Sequence, residues 1–536
     1  MKNLIYLVLL SVTLISCSEE KNLKLIPLTS SSESAIELMR DFMKNSEERR
    51  NYLNEKLMDS IIKLDPDFSM ALALNNFGNR DSRRANIIKA YSLKDDLSYI
   101  ESKLIEGIYE QTINGDLKKA EDIVSLLLEE YPDYYQLYII SGNLKNNLED
   151  PNGSQVMWEK ALEIYPECFE ALENLAFLHF PVDNSFKTLS ESERDLDKAE
   201  SLLNRIQKNY PKSYVPSRFL GNIYRAKSDF EKAEASYQNA IEIIKETLDL
   251  DDARQKFPYS NALLMMGHIN TFQEEYDAGR TYYEEGIEAV MDNNNLVDRQ
   301  QEVWVKVNYN IFIAHSYMYQ KKYSEAVFTL NSLLQEINNF ELSDIQKNNT
   351  KLGVEFSKFL VLGHSLNMEE TQNSITTMAG IVDENEKLLI ADAVDQNEIN
   401  RIKYNVNINK SEMNIWFNIL FGNYERANEL LKEFKIISDE GLAWDPNALN
   451  TYNLLSGYNA LMEGDPTQSL DYYSKIPTQT IDDNNYHRYF KALALKATGK
   501  QEESKDLMVK LANDNFATWQ NAVVKNLAKA QIKTNL

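Results

Sequence analysis

A repeat period constrains this chain more than any other feature. The dipeptide Tyr-Pro recurs at Tyr131-Pro132, Tyr165-Pro166 and Tyr210-Pro211, and the first two prolines stand 34 residues apart. The next interval is 45, one period and 11 more, and the polar stretch 182–194 reads as a loop that holds the excess. A fixed period of this size marks stacked supersecondary units, none of which can bury its apolar face alone. Matching helical segments precede the prolines: Leu117-Lys-Lys-Ala120-Glu, Gln155-Val-Met-Trp158-Glu-Lys-Ala161 and Asp197-Lys-Ala199-Glu. The clearest unit spans 214–245. It places Leu220, Gly221 and Tyr224 on one helix and Ala233, Tyr237 and Ala240 on the next, around a turn at Ser228-Asp229. Small residues let two helices approach, aromatics fill the space beside them, and proline opens the next helix.

Composition agrees with a helical array. Only 17 glycines and 12 prolines in 536 residues disfavour a turn-rich all-β architecture, and 43% hydrophobic with 26% charged residues is a globular balance. The 57 Lys+Arg against 82 Asp+Glu give a net charge of −25, which repels phosphate backbones, so nucleic acid is not an expected partner. Looser units follow downstream: Gly267 with Gly279, Tyr283 and Gly286; Ala314, Tyr317 and Ala326; Gly422-Asn423-Tyr424 with Ala427; Gly457 with Tyr473; Ala492 with Gly499. Residues 340–405, rich in Asn and Glu, fit the pattern poorly and are expected to be helical. Residues 516–533 read as an amphipathic capping helix, with Trp519, Val523, Leu527 and Ala528 at helical spacing.

This spacing of large and small residues resembles the tetratricopeptide repeat (TPR). The resemblance implies an all-α fold, a solenoid of helix pairs wound into a right-handed superhelix. Further segments resemble a group of exported bacterial TPR lipoproteins: Thr29-Ser-Ser-Ser-Glu33, Leu64-Asp-Pro-Asp-Phe68, Gly115-Asp116, Tyr489 through Gly499-Lys500, and Asp514-Asn515-Phe516. The likeness covers most of 29–533 and is weakest in the middle. It implies an architecture and no catalytic residue.

The N-terminus implies an address. Lys2 precedes an apolar run over residues 4–15, too short for the ~20 residues of a bilayer-spanning helix and suited to a signal peptide. Leu14-Ile15-Ser16-Cys17 resembles the lipobox of bacterial lipoproteins, which implies cleavage after residue 16 and acylation of Cys17. Ser18-Glu19-Glu20 resembles an acidic tag for surface display. The expected organisation is a signal peptide (1–16), a flexible tether (17–32), an N-terminal TPR array (33–250) and a C-terminal TPR-like array with its cap (251–536). The expected location is the envelope of a Gram-negative bacterium, anchored at the outer membrane through the lipid alone. Cys168, the only other cysteine, reads as a small core residue.

No chemistry is legible in the motifs. The five histidines form no His-Glu-x-x-His, and Gly-x-Ser-x-Gly, Gly-Lys-Ser/Thr and Cys-x-x-Cys are absent from the sequence. No enzyme activity, metal or cofactor is expected. The repeat register instead assigns Asn143, Asn146, Arg218, Asn222, Arg225 and His268 to the concave face, with His315 and His364 in the place of His268. Arg218 and Asn222, four apart on one helix, resemble one arm of the carboxylate clamp of certain TPR domains. Met265 stands where a second basic residue would complete it. Asn143, Arg218, Asn222, Arg225 and His268 are therefore expected to contact an extended acidic or C-terminal peptide, with arginine pairing carboxylates and amides pairing backbone. The expected function is a lipid-anchored scaffold for proteins or peptides. The alternative is a glycan- or nutrient-binding outer-membrane lipoprotein that partners a transporter, with 181–195 and 340–405 as its only irregular candidates.

Overall fold

One turn is used again and again. Between the two helices of a pair, a residue enters the left-handed region: Gly115 (φ 71°), Glu149 (62°), Ser228 (61°), Glu274 (67°), Lys321 (60°), Leu366 (61°), Gly422 (75°), Gly464 (99°) and Gly499 (86°). In most of these turns the next backbone N–H reaches back to a carbonyl five residues earlier, as Asp229 does to Tyr224 (2.8 Å) and Asp465 to Ala460 (2.8 Å), which satisfies the fraying carbonyls of the first helix. In several of the turns the side chain of that next residue then caps the second helix. The carboxylates of Asp116, Asp150, Asp229 and Asp465 accept the backbone N–H of Lys119, Gly153, Lys232 and Gln468 at 2.8–3.3 Å.

The computed structural model describes residues 23–180, 186–291, 299–393 and 395–533; among them are helices and turns and no strand. Helices adjacent in sequence pack on one another, as a solenoid of helix pairs requires. The chain divides into two compact units. The first holds 23–175 with 186–187, and includes helix pairs Glu33–Glu47 with Asn54–Leu64, and Tyr135–Asn147 with Pro151–Ile164. Its core contains Met39, Met58, Ile61, Phe68, Leu104, Leu127 and Leu137. The second holds 176–180 and 188 onward. Its pairs are Val215–Ala226 with Phe230–Thr247, Ala253–Phe272 with Tyr276–Met291, Arg299–Tyr319 with Tyr323–Ile337, Asp344–His364 with Met368–Ala391, Gln396–Leu420 with Tyr424–Gly441, Leu449–Glu463 with Pro466–Ser474, and Asn485–Ala497 with Gln501–Asn513. Trp519–Lys533 follows as the expected cap.

The structure revises the expected organisation in two places. The division falls around 175–188, not between 250 and 251. Phe177 packs forward on Phe219 (4.5 Å), while Phe186 stacks on Trp158 (5.8 Å) and the Lys187 backbone exchanges two hydrogen bonds with the Asn146 side-chain amide. The described part of the expected tether, 23–32, is not loose. Ile26 is buried, Thr29 donates twice to the Glu101 carboxylate (2.6 Å each), and Ser30 and Ser31 both donate to Asp65. Residues 1–22, including the expected signal peptide and Cys17, lie outside the described residues. Within 340–405 the described residues are mostly helical, as expected, and 186–194 is a loop.

Within a pair, contact is set by a glycine on the first helix and an aromatic sixteen residues later on the second. Gly142 meets Trp158, Gly221 meets Tyr237, Gly267 meets Tyr283 and Gly457 meets Tyr473. A Cβ on any of the first three would fall inside 3.0 Å of the facing ring. Gly221→Ala should therefore cost about 1–3 kcal/mol through overpacking, read as a lowered urea midpoint with unchanged slope.

Candidate functional site

The residue after Gly142, Gly221 and Gly267 has a defined task. Tyr237 donates its hydroxyl to Asn222 Oδ1 (2.7 Å), Trp158 donates its indole N–H to Asn143 Oδ1 (3.3 Å), and the Tyr283 hydroxyl bonds His268 Nδ1 (2.8 Å). A buried tyrosine or tryptophan must place its polar tip against a partner, and the position beside the glycine is where that partner stands. Three of the five expected ligand residues are thus spent inside the array. Asn222 is 9% and His268 4% exposed. Asn143, in the first unit, also accepts from Asn174 (3.0 Å) and donates to Glu170 (3.0 Å).

The arginines are engaged too. Arg218 donates to Asn261 Oδ1 (2.6 Å) and lies 4.2 Å over the Phe219 ring. Arg225 is buried, with Nη1 3.8 Å from the Met265 sulfur. The register placed Arg218, Asn222, Arg225 and His268 in one neighbourhood, and the structure keeps them in one unit. The correction is that Asn222, Arg225 and His268 are covered rather than open to a ligand.

A distant segment of the same unit is fastened to the end of the Val215–Ala226 helix. Asn515 donates through one amide nitrogen to the Arg225 carbonyl (2.9 Å) and the Ser228 hydroxyl (2.9 Å). Phe516 stacks on Phe180 (5.4 Å), Asn526 donates to the Tyr319 carbonyl (3.1 Å), and Lys529 pairs with Glu274 (2.9 Å). Lys525 is buried and ties the segment to itself through the carbonyls of Ala512 and Asp514 and the Asn515 side chain. Burial, with Lys529 nearby, pushes its pKa down to about 8. Beside this segment, Glu191 binds Arg488 (3.0 Å) and Lys510 (2.8 Å). Asp514-Asn515-Phe516 is conspicuous in the sequence, but no local pattern shows that it lies against residues nearly 300 positions earlier.

The histidines are core residues. Burial lowers His315 and His364 to about 4 and His487 to about 3, and holds His268 well below its ordinary value. Among the described residues no group of His, Cys, Asp and Glu is arranged to hold a metal. Cys168 is buried with its thiol pKa pushed up by burial and by Glu47, which disfavours the reactive thiolate.

An open groove of about 600 Å³ lies elsewhere in the second unit, between Tyr276–Met291, Arg299–Tyr319 and Tyr323–Ile337. Ile287, Ile313 and Leu333 are buried in its floor, and Phe328 stands in it 74% exposed. Glu284, Glu288, Glu325 and Glu336 border it; Lys306 pairs with Glu336 at 3.0 Å. This groove is not legible in the repeat pattern, because Phe328 falls between the small and aromatic positions that define the repeat.

Comparison with known proteins agrees with the pairwise packing. Residues 219–247 match the tetratricopeptide repeat family. This is the stretch that carries Gly221, Asn222 and Tyr237. No curated protein matches the chain. Solved structures similar to it include the apo form of RapI (13% identity, 88% of this chain and 99% of that one, TM-score 0.36) and the P58(IPK) TPR domain (14%, 81% and 98%, 0.21). The Naa15/Naa10 complex bound to HypK-THB is a third (12%, 92% and 70%, 0.20). At these scores the likenesses carry no functional argument.

Two outcomes test the assignments within the TPR unit and beyond it. Asn222→Ala should cost about 1–3 kcal/mol by stranding the Tyr237 hydroxyl, and Tyr237→Phe added to it should recover most of that loss in a double-mutant cycle. The histidines set a pH window. Their folded pKa values lie below the ~6.5 of the unfolded chain, so above pH 6.5 they are neutral in both states. Below it the unfolded chain binds protons that the folded chain refuses, and stability falls as pH drops toward 4, by up to ~1.4 kcal/mol per pH unit for each histidine. Neither His315 nitrogen has a hydrogen-bond partner. His315→Leu should therefore stabilise the protein more at pH 5.5 than at pH 7.5 in urea titrations.

Proposed function

We propose that this chain is a scaffold that binds a protein partner by docking a segment of it in the groove over residues 276–337, and that it acts by binding rather than catalysis. The observation that carries this reading is Phe328, an exposed aromatic above an apolar floor and among four exposed carboxylates. Such a groove suits a segment with an apolar residue flanked by lysine or arginine. The net charge of −25 favours the encounter, the reverse of the acidic ligand expected from the arginine register. The scaffold is tethered to the envelope of a Gram-negative bacterium through an acylated Cys17, a reading supported by the Leu-Ile-Ser-Cys motif behind a short apolar run.

Envelope extracts passed over the protein supply the partner, and titration then tests the groove. Phe328→Ala should weaken binding about ten- to a hundredfold, the ~1.5–3 kcal/mol of one buried aromatic. Glu325→Lys should weaken it further and flatten its dependence on salt. Both variants should keep the helical signal and melting temperature. Undiminished affinity in Phe328→Ala would remove the groove from the mechanism. Separately, Cys17→Ala should move the protein from the membrane to the soluble fraction; retention on membranes in high salt would overturn the anchor.

A further inference from the structure

A cleft of about 380 Å³ opens between the helices Asp344–His364, Met368–Ala391 and Gln396–Leu420. At the ~30 Å³ that a water molecule occupies in the liquid, this is room for about a dozen non-hydrogen atoms. The helices run antiparallel, and their cross-links sort the lining by polarity. At one end Asn385 donates to Asn349 (2.8 Å) and Lys410 pairs with Asp383. Toward the other end, where Ser374 bonds Glu355 (2.9 Å), the walls are Phe356, Ile375, Met378 and Met413. The cleft is thus amphipathic, polar at Asn349, Asn409 and Lys410 and largely apolar beyond, with Asn414 beside Met413 as a further polar group.

Gly353 lies in its wall, in mid-helix. A glycine there costs about 1 kcal/mol against alanine, so it needs a reason. Gly142, Gly221 and Gly267 have one, since each faces a ring that leaves no room for a methyl group. At Gly353 an added Cβ would meet nothing within 4 Å, so close packing within the chain does not account for it. A side chain at Gly353 would enter open space at the wall of the cleft, whereas Gly380, equally unopposed, lies outside the lining.

We propose that this cleft binds a small amphipathic carboxylate, its tail along Phe356, Ile375, Met378 and Met413 and its head on Lys410 and Asn349. Lysine supplies the charge. Asn349, whose carbonyl oxygen is taken by Asn385, has its NH₂ left to donate. The two methionines adapt to tails of differing shape. Asp383 competes with the ligand for Lys410, which keeps the lysine paired when the cleft is empty. This site is independent of the groove around Phe328.

Titration of the full chain with decanoate, below its micelle concentration, tests the assignment by calorimetry and thermal shift. Wild type should bind and melt higher. Gly353→Leu fills the cleft and should lose at least tenfold in affinity while melting no lower than wild type without ligand. Ala379→Leu does the same from the opposite wall and decides the matter should Gly353→Leu not fold. Lys410→Gln should weaken decanoate about tenfold and leave 1-decanol, which lacks the charge, unaffected; Asp383→Asn should tighten decanoate. No heat and no thermal shift with wild type, undiminished binding by a folded cleft-filling variant, or equal affinity for decanoate and decanol would each overturn the proposal.

Discussion

The contact between a glycine and the ring sixteen residues beyond it is the constraint on which the best-defined helix pairs depend. It fixes how closely two helices approach, and because the ring carries a polar tip, it also dictates the neighbouring residue. Asn143, Asn222 and His268 follow from Trp158, Tyr237 and Tyr283 by this rule. Where the rule lapses, the consequence is visible. Tyr458 follows Gly457, and the buried Tyr473 hydroxyl opposite has no hydrogen-bond partner. A polar residue repeated at one register position can thus report the inside of a repeat as readily as its binding face.

How much of this was legible in the sequence depended on which residues marked the turns. Gly115, Gly422, Gly464 and Gly499 announce the left-handed position because glycine adopts it without strain. At Glu274, Lys321 and Leu366 the same backbone is held by side chains that rarely visit it. Those turns join the pairs in which the period blurred, and their helices are longer, reaching 21 residues in Asp344–His364 and 24 in Met368–Ala391. The tertiary packing overrides the local preference there, and a reading of local pattern loses the register. The all-α architecture, the pair at 215–247 and the final helix were readable because glycine, aromatic and alanine all agreed.

The site was less legible, for a different reason. Register assigned Arg218, Asn222, Arg225 and His268 to one face, but exposure depends on what covers them, and Asn222, Arg225 and His268 are buried. Asn515 reaches the Arg225 carbonyl and the Ser228 hydroxyl across 290 and 287 residues, and no period predicts such a contact. The groove at Phe328 and the cleft at Gly353 were missed because each consists of space left between helices. Composition records atoms, and a cleft is legible only once the walls have been placed.

The long-range bonds of the second unit also have a consequence in time. A linear repeat array can fold progressively, since each unit needs only the one before it. Here Glu191 waits for Arg488, 297 positions later, and the Arg225 carbonyl waits for Asn515, 290 positions later. A ribosome adds about 5–20 residues per second, so these partners are separated by roughly 15–60 s of synthesis. For that interval the nascent chain carries helix pairs whose inner polar groups are hydrated and uncovered, open to chaperones in a way that the finished protein is not.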